Sequence, residues 1–175
     1  MRSSLHKIAY RLWQVRQQLG FVAPLSTEEH SQVARLLPAS ALPLFQTMSD
    51  ADQRHSLRVY QGLLERGCVD RDLLAAALLH DVGKAQGRVP FWTRPAIVLG
   101  KLFAPRLLRS LTVSPDEGKT IPAWQRSLSN AWWHAEIGAD LAAAAGLSEE
   151  AVLYIRTHHQ PGGPAAELHL VDEAV

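Results

Sequence analysis

Apolar residues recur along this chain at spacings of three and four, between short breaks, and that pattern predicts helices. In MRSSLHKIAYRLWQVRQQLG the apolar positions are Leu5, Ile8, Leu12, Val15 and Leu19, with Lys7, Arg11 and Arg16 between them, an amphipathic helical pattern. PLSTEEHSQVARLLP offers Ser26 or Thr27 as N-cap, acids in the first turn and a closing proline. SDADQRHSLRVYQGLLERG predicts a third helix between a Ser49 or Asp50 cap and Gly67, with Leu57, Tyr60, Leu63 and Leu64 as its apolar face. A fourth runs from about Asp70 to His80 and stops near Gly83.

The pattern breaks over residues 86–123. Pro90, Pro95 and Pro105 predict short helical pieces joined by kinks, and SPDEGKTIP has the composition of a loop. AWQRSLSNAWWHAEIGADLAAAAG then reads as one long helix stopped by Gly146. LSEEAVLYIRTHH reads as a helix capped by Ser148 that stops before QPGGP, and AAELHLVDEAV as a last short one. No stretch alternates as a strand would, and there is no internal repeat or linker. The expected fold is all-α, a single-domain helical bundle, with residues 1–48 as a helical extension packed on a main domain of residues 49–175.

Composition narrows the picture a little. At 175 residues the chain can bury one substantial core, and 47% apolar with 20% charged residues fits a soluble globular class. The single cysteine, Cys68, excludes an intrachain disulfide and fits a reducing compartment, where it would serve as a small packing residue. The charged N-terminal pattern is unlike a signal peptide, and no run of about 18 uncharged apolar residues exists to span a membrane. A cytoplasmic location is the default expectation. Net charge is +1, but its distribution is uneven. Val82 to Pro115 holds six basic residues and no acid, whereas His134 to the end holds seven acids against Arg156 alone. A basic stretch of this kind points to an anionic ligand or surface. No nucleic-acid signature accompanies it.

The chemistry concentrates in LLHDVGK, residues 78–84. An imidazole and a carboxylate at the end of the apolar run DLLAAALLHD are costly to bury unless something pairs with them. His55, His80, His134, His158 and His159 are spread over successive predicted helices with Asp81 and Asp172, most of them on or beside an apolar face. One such histidine is ordinarily a hydrogen-bonded core residue. Five with two carboxylates are better explained by a metal. Neutral imidazoles and carboxylates suit zinc, iron, manganese or nickel, and no thiolate is at hand. Helical bundles build such sites from inward-facing side chains. Seven candidates exceed the four ligands of a structural zinc, so two divalent transition-metal ions are the economical count, with iron or manganese favoured and Asp81 suited to bridge.

The ordered set His55, His80-Asp81, His134, His158-His159 and Asp172 resembles the HD-domain superfamily of metal-dependent phosphohydrolases. LLHDVGK is similar to its HD-x-G-K motif. HAEIGADLAAAAGL followed by IRTHH resembles the downstream histidine motifs of its two-metal branch, and the likeness runs from about residue 50 to the C-terminus. The resemblance implies that His55, His80, Asp81 and Asp172 hold one ion. Asp81 would bridge to a second ion held by His134 and His158, with His159 a ligand or an outer-shell group. It also implies that Asp81 and Lys84 are catalytic, with Lys84 reaching the substrate phosphate. The sequence alone leaves a second role for Lys84, a solvated lysine at a helix end.

The implied activity is that of a phosphodiesterase or phosphatase acting on a nucleotide or other small phosphate ester through a metal-bridging hydroxide. The alternatives are an HD-type di-iron oxygenase acting on a small substrate and a non-catalytic metal-binding regulatory module. Three subfamily patterns are absent. QPGGP replaces the D-G-x-G-Y-P segment of the cyclic di-GMP enzymes, Lys84-Ala85 replaces the Glu-Asp pair of alarmone hydrolases, and the one-metal deoxynucleotidases lack the middle histidines present here. The basic segment 86–123 has three readings. It could wall the metals, with Arg88 and Arg94 guiding an anionic substrate. It could make a peripheral membrane contact through residues 88–109. It could be an insertion packing Leu99, Leu102, Phe103, Leu107 and Leu108 on the core. Trp132 and Trp133 are expected in core packing rather than in stacking on a substrate.

Overall fold

The computed structural model describes residues 22–86, 100, 103–114 and 120–175. The amphipathic helix expected before residue 21 and the expected substrate contacts Arg88 and Arg94 lie outside the described residues.

Side-chain caps set most helix starts. Ser26 begins α1 (Thr27–Leu36) with a full capping box: its Oγ accepts from Glu29 N at 3.2 Å and Glu29 Oε2 accepts from Ser26 N at 2.7 Å. A short α2 (Leu42–Thr47) follows, and Ser49 then caps α3 (Asp50–Glu65). Asp70 caps α4 (Arg71–Leu79), accepting from the backbone of Asp72 and Leu73. A 3₁₀ turn covers Val82–Gln86. Then come α5 (Pro105–Ser110), α6 (Ala123–Trp132), α7 (His134–Ala144), α8 (Glu149–Thr157, capped by Ser148) and α9 (Ala166–Asp172). No strand occurs among the described residues, so the architecture is all-α.

Helix α4 is the hub. Every residue from Leu73 to Leu79 is buried, which an α-helix allows only when neighbours cover all its faces. Helix α3 packs on one side and α8 on another; α8 also packs on α7, and α9 lies across α3. The 3₁₀ turn after α4 lies against α7 and α6. Leu25, Val33, Leu37, Ala41, Phe45 and Met48 belong to the same hydrophobic cluster as Leu57, Leu63 and Leu78, so residues 25–48 share the main core. Cys68 packs at its edge, and burial raises its thiol pKa.

The structure departs from the sequence pattern at several places. On α3, Leu64 is 40% exposed and Val59 is fully buried in its stead. The buried stripe runs through Ser56, Val59, Tyr60 and Leu63, which turns Leu64 to the outside. The expected long helix is broken at Trp133, with φ −98° and ψ 16°. His134 therefore starts α7 instead of lying within a continuous helix, and its ring takes the Ala131 carbonyl at 3.0 Å. Both Trp132 and Trp133 are partly buried. Helix α2 had no forewarning in the pattern, since six residues are too few to show a period. Of the residues expected to pack segment 86–123 on the core, Leu108 is buried, but Phe103 is 77% and Leu107 62% exposed. Leu99 and Leu102 lie outside the described residues.

One glycine fixes how the turn after α4 meets α7. A Cβ built on Gly83 would lie 2.1 Å from His134 O and 2.9 Å from Gly138 N. Both are backbone atoms that cannot rotate away. Overpacking of this kind costs typically about 1–3 kcal/mol, and one kcal/mol is worth about 2–4 °C in a chain of this size. Gly83→Ala should therefore lower the melting temperature by about 2–12 °C. Gly162→Ala, where a Cβ meets nothing within 4 Å, should leave it almost unchanged. Thermal unfolding of both variants checks the contrast.

Candidate metal centre

The site is built from helix ends. His80 is the C-cap of α4 and is fully buried, and Asp81, which follows it, is 3% exposed. The His80 ring turns back on its own helix so that Nδ1 donates to Ala77 O at 2.9 Å. His134 makes the same bond to Ala131 O at 3.0 Å, and His158, the C-cap of α8, makes it to Ile155 O at 2.6 Å. In all three the bonded carbonyl lies three residues back. A ring that spends its Nδ1 proton on a carbonyl leaves Nε2 as a lone pair in the neutral form, the tautomer metal ligands require. The Nε2 atoms of His80 and His158 are buried with no hydrogen-bond partner. Buried polar atoms are nearly always partnered, so these two imidazole nitrogens are candidate donors to a metal ion.

These atoms fall into two groups. In the first, His55 Nε2 lies 2.8 Å and His80 Nε2 3.5 Å from Asp172 Oδ1. In the second, His134, His158 and His159 converge, with His134 Nε2 and His159 Nε2 2.9 Å apart. Within each group the ligand atoms lie within 4.8 Å of one another, and each group could hold a metal ion. The His80 and His158 rings, 5.1 Å apart between centroids, join them. Asp81 stands between the groups: Oδ2 is 3.6 Å from His80 Nε2 and Oδ1 is 3.6 Å from His134 Nε2. Lys84 reaches Asp81 Oδ2 at 2.5 Å.

All seven ligand candidates chosen from the sequence thus meet in one place, with Lys84 beside them. His159 joins the second group directly, although it is exposed. One neighbour was not foreseen. His169 donates from Nδ1 to His158 O at 3.0 Å and so ties α9 to the end of α8. Its place one turn before Asp172 in LHLVD was the only sequence signal.

The electrostatics of the two groups differ. Burial disfavours a charge on His80, but the carboxylates of Asp81 and Asp172 outweigh it and push its pKa up to about 9. The direction of that shift shows that the two carboxylates favour positive charge at this ring. Burial, with the neighbouring charges of His80 and His159, pulls His158 down to about 3. Burial and Lys84 hold His134 well below its ordinary range. Both are therefore neutral rings, as ligation needs. Asp81 is held ionised despite its burial by the charges of Lys84 and His80. Asp172 is likewise held low against its burial, by its hydrogen bond with His55 and by the charge of His80.

No family model, curated protein or solved structure matches this chain. The donor set, two imidazoles with Asp172 in one group and three imidazoles in the other, with Asp81 between them, is of the kind that suits divalent first-row ions.

A ligand that binds only the folded chain stabilises it by about 2.7 kcal/mol at a hundred times its Kd. Manganese, ferrous or zinc ions should accordingly raise the melting temperature by about 5–10 °C, and a chelator should reverse the rise. His158→Ala should retain less metal than His159→Ala, because it removes a buried, oriented donor while the other removes one at the rim. Elemental analysis of both variants after dialysis against metal separates them.

Proposed function

We propose that the chain is an HD-type phosphohydrolase using two divalent transition-metal ions, iron or manganese in preference, on a nucleotide or other small phosphate ester. The observation that carries this reading is the position of Asp81, with one carboxylate oxygen 3.6 Å from the imidazole of each group. In this reading His55, His80 and Asp172 would hold one ion, His134, His158 and His159 the other, and Asp81 would serve both. Ions so held supply Lewis acidity and acidify a water that can serve as nucleophile.

The chain's own residues do the rest. The carbonyls of Ala77, Ala131 and Ile155 fix the orientation of three rings before substrate arrives, which is the preorganisation that lowers a barrier. The apolar wall of α4 keeps bulk water from the side of the site it faces. Lys84, about one-third exposed, stands at the boundary between the buried carboxylate and solvent, where its ammonium can meet an incoming phosphate. Hydrolysis adds water across the P–O ester bond. The water oxygen bonds phosphorus as the ester oxygen departs, and one proton passes from the water to the leaving oxygen. Lys84 neutralises the charge that builds on the phosphoryl oxygens meanwhile, and Asp81 orients the attacking water.

Asp81→Asn should abolish hydrolysis and lower the content of both ions, whereas a variant in one group, such as His134→Ala, should spare the other group's ion. Elemental analysis beside a screen of phosphate mono- and diesters checks this. An intact ion count in Asp81→Asn would remove the bridge. Dioxygen consumption by the ferrous protein without ester hydrolysis would replace the hydrolase reading with an oxygenase.

Lys84→Ala should keep the metals and the fold but lose hydrolysis. A charge-assisted bond to an anion is worth roughly 1.5–3 kcal/mol, so catalytic efficiency should fall on the order of 10- to 100-fold. Lys84→Arg should recover only part, since the planar guanidinium does not reproduce the compact ammonium. Unchanged hydrolysis in Lys84→Ala would return Lys84 to the role of a solvated helix-end lysine.

A further inference from the structure

We propose that the edge formed by α5 and the start of α6 docks on an anionic lipid bilayer. This inference stands on surface residues alone and does not depend on the chemistry at the metal centre. Phe103 is 77%, Leu107 62%, Leu111 39% and Trp124 56% exposed. They are four of the eight large apolar side chains exposed among the described residues; the other four, Leu64, Val69, Leu153 and Leu170, belong to other elements. Leu108 is buried and packs beside Gly100, so α5 is anchored by one leucine while its neighbour Leu107 stays outside. Gln125 Nε2 donates to Leu111 O at 3.1 Å, and Val113 N donates to Ser129 Oγ at 2.9 Å. These bonds hold the first turns of α6, including Trp124, beside the end of α5.

Charge selects the occupant. Arg106, Arg109 and Arg126 are exposed on the same two elements, and none of the described residues from Gly100 to His134 is acidic. Over residues 87–134 the sequence holds seven Lys or Arg against two acids, Asp116 and Glu117, while the chain from His134 onward holds seven acids against one arginine. Charge is thus unevenly spread along the sequence, and the exposed Arg106, Arg109 and Arg126 would favour a negatively charged plane at this edge. Separate apolar tips interleaved with arginines suit the boundary between headgroups and acyl chains. A protein partner would instead favour a contiguous apolar centre from which charge is excluded.

The test is co-sedimentation of the full chain with vesicles of phosphatidylcholine alone and of phosphatidylcholine mixed with phosphatidylglycerol, at low and raised ionic strength. Binding should require the anionic lipid and weaken with salt. Each arginine near such a surface is worth about 5-fold in partitioning, so Arg106→Gln with Arg109→Gln should lower binding on the order of 30-fold. Phe103→Ser with Leu107→Ser should weaken it comparably, with unchanged melting temperature because both residues are exposed. Absence of binding to anionic vesicles, or binding that both double variants retain, overturns the proposal. So does a dimer in light scattering that the Phe103→Ser, Leu107→Ser variant dissolves, which would assign this edge to a second copy of the chain.

Discussion

Asp81 is a carboxylate buried at the end of an apolar helix, and the site is arranged around the need to keep it charged there. Burial alone would drive it towards the neutral acid. Lys84 and the imidazole of His80 oppose that and hold it ionised. Each of those partners arrives from a helix end or the 3₁₀ turn, where the chain can change direction and where side chains can reach unpaired carbonyls. The negative field so created also acts on His80, whose affinity for a proton rises although it is fully buried.

The repeated bond from a histidine Nδ1 to the carbonyl three residues back ties fold to chemistry. At His80 and His158 the ring occupies a carbonyl in the last turn of its helix, where orphan acceptors are expected. At His134 the same bond accompanies the break between α6 and α7. One local motif thus caps the chain and orients the donor. The helix α4 that delivers His80 and Asp81 is covered on all sides, so the donors are held as rigidly as the core itself.

Much of this was legible in the sequence, and the parts that were not have physical reasons. Ser26, Ser49, Asp70 and Ser148 announced their helices because a short oxygen-bearing side chain before an apolar period has few other uses. The histidines and aspartates of the site were legible because imidazoles on apolar faces are rare enough to demand a joint explanation. The break at Trp133 was not legible, since nothing in SLSNAWWHAEIG forbids helix; it accompanies the contact of His134 O with Gly83, which is tertiary. Helix α2 was too short to carry a period. Leu64 illustrates a smaller limit: a helical face read from spacing alone is uncertain by one residue, and packing against α4 and α9 chose Val59. His169 was overlooked because its partner is a backbone carbonyl on another helix.

His55 and Asp172 meet at 2.8 Å although 117 positions separate them along the chain. An ion held there would be a reversible cross-link between distant segments. Its ligands come together only once α3, α4 and α9 have docked, and contacts of such large sequence separation form late in folding. Interactions absent from the transition state act on unfolding and not on folding. The ion would therefore govern the lifetime of the folded chain, while the local helices, closed by their own caps, govern how soon it forms.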